Sequence, residues 1–191
     1  SKTALEVCEG QQWDVDFETR DDVSIPDYLK MIEYKTAVLV AAAMKMGAII
    51  AETSEENANL IYDFGLNLGI AFQLQDDYLD AFGDPETFGK QVGGDIIENK
   101  KTMLFLLALE SSDSEDRSVL EELFTTNPAD PTQKITQVKE LFTKSGAVLQ
   151  IQQQMKEYTE KALKEVDQFP VEEEKKEVFR TFALQLMERK L

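Results

Sequence analysis

Residues 54–82 read SEENANLIYDFGLNLGIAFQLQDDYLDAF. Leu60, Ile61, Phe64, Leu68, Ala71 and Phe72 recur at helical spacing. Ser54 followed by Glu55 and Glu56 supplies a cap and an acidic first turn, which suits the positive end of a helix dipole. The pattern predicts one long helix ending near Phe82. Gly65 and Gly69, four apart, weaken it locally but would let a neighbouring helix approach closely. Near its end Gln73, Asp76, Asp77 and Asp80 fall at i, i+3, i+4 and i+7, so three carboxylates share one face of a helix otherwise built for burial. Such charges repel on adjacent turns, and burying them unpaired is costly. Lysines or divalent cations should therefore lie against this face. The bland alternative is a helix end emerging into water.

Upstream, Thr36 to Ala51 is apolar on nearly every side, the mark of a helix buried in a bundle, and its alanines argue against strand. Pro26, with Ser24 as a cap, opens a shorter helix through about Tyr34. Thr3 to Trp13 reads as a further helix, and Asp21-Asp22 as part of a polar connection. Downstream, Gly83, Asp84-Pro85, Gly89 and Gly93-Gly94 break all periodicity and predict a surface loop over 83–99. Lys100-Lys101 then opens an apolar helix to Glu110, whose N-terminal amides would favour an anion. Three or four amphipathic helices come next, punctuated by Asn127-Pro128, Asp130-Pro131, Ser145-Gly146 and Pro170. The expectation is a single all-α domain over residues 1–191.

Composition narrows the chemistry. With 37 acidic against 20 basic side chains the net charge is −17, which argues against a nucleic-acid footprint. The chain holds no histidine, which removes Ser-His-Asp and Cys-His catalysis as well as HExxH zinc sites. Any metal would be held by oxygen ligands, favouring hard cations. The lone Cys8 makes no intramolecular disulfide and points to no oxidising compartment, so the cytoplasm is expected. The apolar run Ala37 to Ala51 contains Lys45 and is too short to span a bilayer, and no leader pattern opens the sequence.

The carboxylate stripe and the loop after it suggest a site. Lys90 follows Gly89, Asp95 follows Gly93-Gly94, and Lys100-Lys101 comes next. Glycines let backbone approach a ligand closely, and carboxylates with lysines make a plausible site for magnesium and a diphosphate.

Phe72 to Asp84 (FQLQDDYLDAFGD) resembles the second aspartate-rich motif of the trans-isoprenyl diphosphate synthases, the family of farnesyl and geranylgeranyl diphosphate synthases. Gly89 to Thr102 (GKQVGGDIIENKKT) is similar to that family's lysine loop, Tyr34-Lys35-Thr36 to its Lys-Thr pair, and Gly10 to Asp14 (GQQWD) to its G-Q-x-x-D segment. The resemblance implies an isoprenoid-synthase-type helical bundle and condensation of isopentenyl diphosphate with an allylic diphosphate. It also implies magnesium, with manganese as the alternative, and a homodimer. Carried over, Asp76 would ligate metal, and Asp80 and Asp95 would support the metal or its waters. Asp77 belongs to the motif, and Asp14 would approach the same cavity. Lys90, Lys100 and the weaker candidate Lys101 would bind diphosphate, and Gln11 would reach the cavity from the first helix. Lys35 would join the lysines, while Thr36 and Gln73 would line the reacting centre. Arg189 and Lys190 resemble a basic C-terminal tail.

The family carries a first DDxxD on an earlier helix, and no second DDxxD occurs in these 191 residues. The expectation is therefore a C-terminal portion, lacking the helices that bear the first motif and inactive or nearly so alone. The competing readings are a terpene cyclase of related fold, a non-catalytic subunit of a heteromeric prenyltransferase, and an acidic bundle that binds nothing.

Overall fold

The computed structural model describes residues 1–84 and 92–188, and no strand occurs among them. The helices are α1 (Lys2–Thr19), α2 (Ile25–Ile32), a π-helical turn (Glu33–Ala37), α3 (Val38–Ile50) and α4 (Glu55–Phe82). They continue with α5 (Gly94–Ile97), α6 (Met103–Ser111), α7 (Ser114–Leu123), α8 (Thr132–Lys144), α9 (Ala147–Asp167) and α10 (Glu173–Met187). The all-α expectation holds.

Local chemistry explains the starts. Ser24 Oγ accepts the Asp27 amide at 3.2 Å while Asp27 Oδ2 accepts the Ser24 amide at 3.1 Å, a reciprocal cap for α2. Ser54 Oγ accepts the Asn57 amide at 3.2 Å at the head of α4. Asp113 caps α7 through the amides of Glu115 and Asp116.

One expected boundary is absent. The chain does not break between Tyr34 and Thr36: α2 passes into α3 through the π turn, closed by the Val38 amide on the Glu33 carbonyl. No Gly or Pro stands there to stop a helix. The extra residue in that turn rotates α3 by about 100° relative to an uninterrupted helix.

The chain divides into two compact units. The first comprises, of the described residues, Ser1–Asp14, Leu29–Gln73 and 154–188. Its core joins Phe64 and Leu68 of α4 to Ala162 and Val166 of α9, Phe169, and Ala183 of α10. Phe64, Phe169 and Phe179 meet edge to face, with centroids 5.2 to 6.3 Å apart. Here the two α4 glycines act as their spacing suggests. A Cβ on Gly69 would lie 2.7 Å from Ala37 Cα, and one on Gly65 would lie 2.9 Å from Ala41 Cα.

The second unit comprises, of the described residues, Val15–Tyr28 and those of Leu74–Gln153. In it α8 packs against α5, α6 and α7. Val138 and Phe142 of α8, Leu120 of α7 and the α6 run Met103 to Ala108 are buried.

Candidate active site

In the first unit, α1 lies against the π turn. A Cβ on Gly10 would fall 2.3 Å from the Lys35 backbone nitrogen, so only glycine permits this approach. Trp13 stacks on Tyr34 at 5.2 Å, and Lys35 Nζ donates to Asp14 Oδ2 at 2.6 Å. Asp14 thus already has a cation. Thr36 Oγ1 donates to Gln73 Oε1 at 3.0 Å, and Gln11 is exposed one turn before Asp14. Four of the candidates, Asp14, Lys35, Thr36 and Gln73, are brought together as two hydrogen-bonded pairs on consecutive residues of the π turn.

In the second unit, the acidic face of α4 splits. Asp76 and Asp80 are partly exposed, whereas Asp77, about 100° round the helix from Asp76, is buried. Asp77 Oδ2 accepts the Tyr28 hydroxyl at 2.7 Å and the Met103 amide at 3.3 Å. Met103 is the first residue of α6, so the amide expected to favour a ligand anion serves the protein's own carboxylate. Hydrogen bonds to a charged group are worth about 1.5–3 kcal/mol. Tyr28→Phe should lower the free energy of unfolding by about that amount, read from urea denaturation; an unchanged midpoint would refute a bracing role for Tyr28.

Asp80 and Asp95 form a like-charged pair. The Asp95 amide donates to Asp80 Oδ2 at 3.0 Å, and the Gly93 amide donates to the Asp80 carbonyl at 2.6 Å. A Cβ on Gly94 would sit 3.1 Å from Asp80 Oδ1, so glycine leaves room for the carboxylate. Burial, then the charge of Asp95, pushes the Asp80 carboxyl up to about 6. Burial also raises Asp95, opposed by Lys100, whose Nζ lies 3.5 Å from Asp95 Oδ1 and 2.8 Å from Glu98 Oε2. The hydrogen bond to Glu98, aided by the charge of Asp95, holds the Lys100 ammonium above its ordinary value.

Such a pair of oxygen donors, each penalised for its charge, fits a hard divalent cation. Among the described residues no three acidic or thiol groups converge to hold an ion by themselves. Magnesium suits that arrangement, since it commonly takes one or two carboxylates and completes its shell with water and phosphate oxygens.

The remaining expectations fare differently. Lys101 does not open α6; it precedes that helix, and its Nζ donates to the Arg20 carbonyl and to Asp21 Oδ1. The predicted loop over 83–99 contains the short helix α5. Lys90, Arg189 and Lys190 lie outside the described residues. Sequence reasoning missed Tyr28 as the partner of Asp77, and it missed the buried Lys134 of α8. The signal for Lys134 is present in the sequence: it shares a helical stripe with Val138 and Phe142, so it is a lysine on an apolar face.

A family model described as Polyprenyl synthetase matches residues 1–144. A geranylfarnesyl diphosphate synthase of Aeropyrum pernix is 32% identical over 99% of this chain and 58% of its own. A crystal structure of a geranylgeranyl pyrophosphate synthase superposes with a TM-score of 0.93 at 53% identity, covering 100% of this chain and 59% of that one. The geranylgeranyl pyrophosphate synthase of Corynebacterium glutamicum, complexed with isoprenyl diphosphate and magnesium, gives a TM-score of 0.90 at 30% identity, over 98% of this chain and 53% of that one. The chain spans little more than half the length of these relatives.

Proposed function

The chain belongs to the polyprenyl synthetase family, and on that premise we propose that it supplies the second aspartate-rich face of a prenyltransferase. The reaction joins isopentenyl diphosphate to an allylic diphosphate and gives a longer trans-prenyl diphosphate. The observation that carries this reading is the Asp80–Asp95 pair, two charge-penalised carboxylates beside Lys100 and a glycine turn.

Asp76 would ligate magnesium, or manganese in its place, and Asp80 and Asp95 would support the metal or its waters, with diphosphate oxygens completing the shell. When bound, the metal would draw charge from the allylic diphosphate and ease its departure. Lys100 would take phosphate oxygens, its charge secured by Glu98 and Asp95. Asp77 would set the rotation of α4 rather than ligate. Asp14 would hold the Lys35 ammonium, and Gln73 and Thr36 would present fixed dipoles to a developing cation. Gln11 and Lys90 belong to the same substrate-binding set by motif; Lys101, bound to Arg20 and Asp21, is the member with the least support. The proton lost after coupling would leave on the released diphosphate. The names of the relatives support a product in the geranylgeranyl to geranylfarnesyl range.

The same proposal includes a homodimer working in the cytoplasm. The exposed apolar residues Leu5, Leu39, Met46, Ile49 and Ile50 of the first unit support the association, which sedimentation would check. No helix among the described residues is long and apolar enough to cross a membrane.

The test separates binding from turnover. Magnesium with inorganic pyrophosphate should raise the melting temperature of the 191-residue chain, and neither should do so alone; at a hundred times Kd the stabilisation is about 2.7 kcal/mol. The same chain should show little or no prenyl transfer. Absence of any magnesium-dependent shift would contradict the binding assignment, and brisk turnover would contradict the need for the first aspartate-rich face.

A further inference from the structure

A buried cation that the proposed chemistry does not use lies under the Asp95 turn. Lys134, on α8, is 3% exposed, and its ammonium donates to neutral oxygens. Burial holds its ammonium below the ordinary lysine value. Lys134 Nζ donates to Asn99 Oδ1 and, at 2.9 Å, to the Thr126 carbonyl; it also lies 5.7 Å from the Phe124 ring centroid. Asn99 Nδ2 in turn donates to Asn127 Oδ1 at 2.9 Å.

Asn99 has a φ of 59°, a left-handed conformation that a non-glycine residue rarely adopts without support. Gly93, six residues earlier, has a φ of 84°, and a Cβ there would lie 3.1 Å from the side chain of Ile135. Both ends of α5 are thus left-handed, and they rest on the consecutive residues Lys134 and Ile135 of α8. Between these rests lies Asp95. Immediately after the second comes Lys100, whose amide donates to the Asp95 carbonyl at 2.9 Å.

An isolated buried ammonium is costly, and an apolar side chain would suit the stripe of Val138 and Phe142 better. Packing alone therefore does not account for a lysine here; the hydrogen bonds to Asn99 and to the Thr126 carbonyl do. We propose that Lys134 is a positioning residue for the diphosphate site, gripping Asn99 so that Asp95 and Lys100 are presented in a fixed relation to Asp80. The inference rests on the reading of Asp80, Asp95 and Lys100 as the metal-diphosphate group.

The test uses the 191-residue chain with Lys134→Met, and with Asn99→Gly, which keeps the left-handed turn but removes the gripped amide. Amide hydrogen exchange over residues 94–101 should quicken severalfold in both variants, while exchange in α9 and α10 stays unchanged. Pyrophosphate affinity at saturating magnesium should fall about tenfold in Lys134→Met, the scale of lost support behind a metal ligand. In a Lys100→Met background, adding Lys134→Met should cost clearly less than the tenfold it costs alone, because the part of its effect that runs through Lys100 is already gone. Wild-type exchange at 94–101 in both variants would overturn the proposal. So would a tenfold loss that persists without Lys100. If the unaltered chain shows no magnesium-dependent pyrophosphate affinity, the diphosphate reading fails, and the exchange rates still decide whether Lys134 fixes the turn.

Discussion

Asp80→Asn, in a polypeptide of the relatives' length, lowers kcat/KM for prenyl transfer by about a hundredfold to a thousandfold and raises the melting temperature of the metal-free protein. The two effects have one cause. At neutral pH the Asp80 carboxylate bears the penalties of burial and of the neighbouring Asp95 charge. Asparagine removes the charge but keeps an oxygen able to accept the Asp95 amide, so the local hydrogen bond survives. Relief of a partly screened penalty on a half-buried group is on the order of 1–2 kcal/mol, or a few degrees at most in a polypeptide of that length. The same change deletes the anionic oxygen that a divalent cation requires. In magnesium and pyrophosphate, the ligand-induced rise in melting temperature should shrink accordingly. A variant that loses stability in chelator while retaining turnover would show that Asp80 serves the fold and not the chemistry.

Much of this site is legible in the amino-acid sequence, because its signals are local. The helix over 55–82 announces itself by spacing and by its Ser54 cap, and the close approach at Gly65 and Gly69 follows from glycines placed four apart. The carboxylate stripe is legible as a stripe, but its division is not. Asp76 and Asp77 differ by one residue and about 100°, and which of them turns inward depends on Tyr28, 49 residues away in sequence. The π turn is illegible for another reason: nothing in Glu33–Ala37 marks an i to i+5 hydrogen bond, and the expected break has no Gly or Pro behind it. The start of α6 is set too early, at Lys101, because nothing in the sequence shows that Thr102, just before the apolar run, is still extended. Lys134 escapes since charge patterning assigns lysines to water by default, and its contacts with Asn99 and the Thr126 carbonyl explain the exception.

Gly10→Ala lowers the stability of the chain by about 2–3 kcal/mol, whereas Gly47→Ala raises it by up to about 1 kcal/mol. Both glycines lie inside helices, α1 and α3, so propensity alone predicts a gain for each. Packing decides the sign. Around Gly47 a Cβ would meet nothing within 4 Å, and the intrinsic preference for alanine is realised in full. At Gly10 the Cβ would fall 2.3 Å from the Lys35 nitrogen and 2.7 Å from both Lys35 Cα and the Tyr34 carbonyl carbon. Those are backbone atoms, which cannot swing aside as a side chain would, so α1 and the π turn must separate. The displaced residues are the ones that pair Lys35 with Asp14 and Thr36 with Gln73. Gly10→Ala should therefore also reduce kcat/KM in a polypeptide of the relatives' length, at temperatures where it remains folded, while Gly47→Ala leaves it unchanged. Urea denaturation of the two variants side by side is the check: equal gains would mean that α1 and the π turn do not approach through Gly10, and the glycine of the G-Q-x-x-D segment would lose its physical reason.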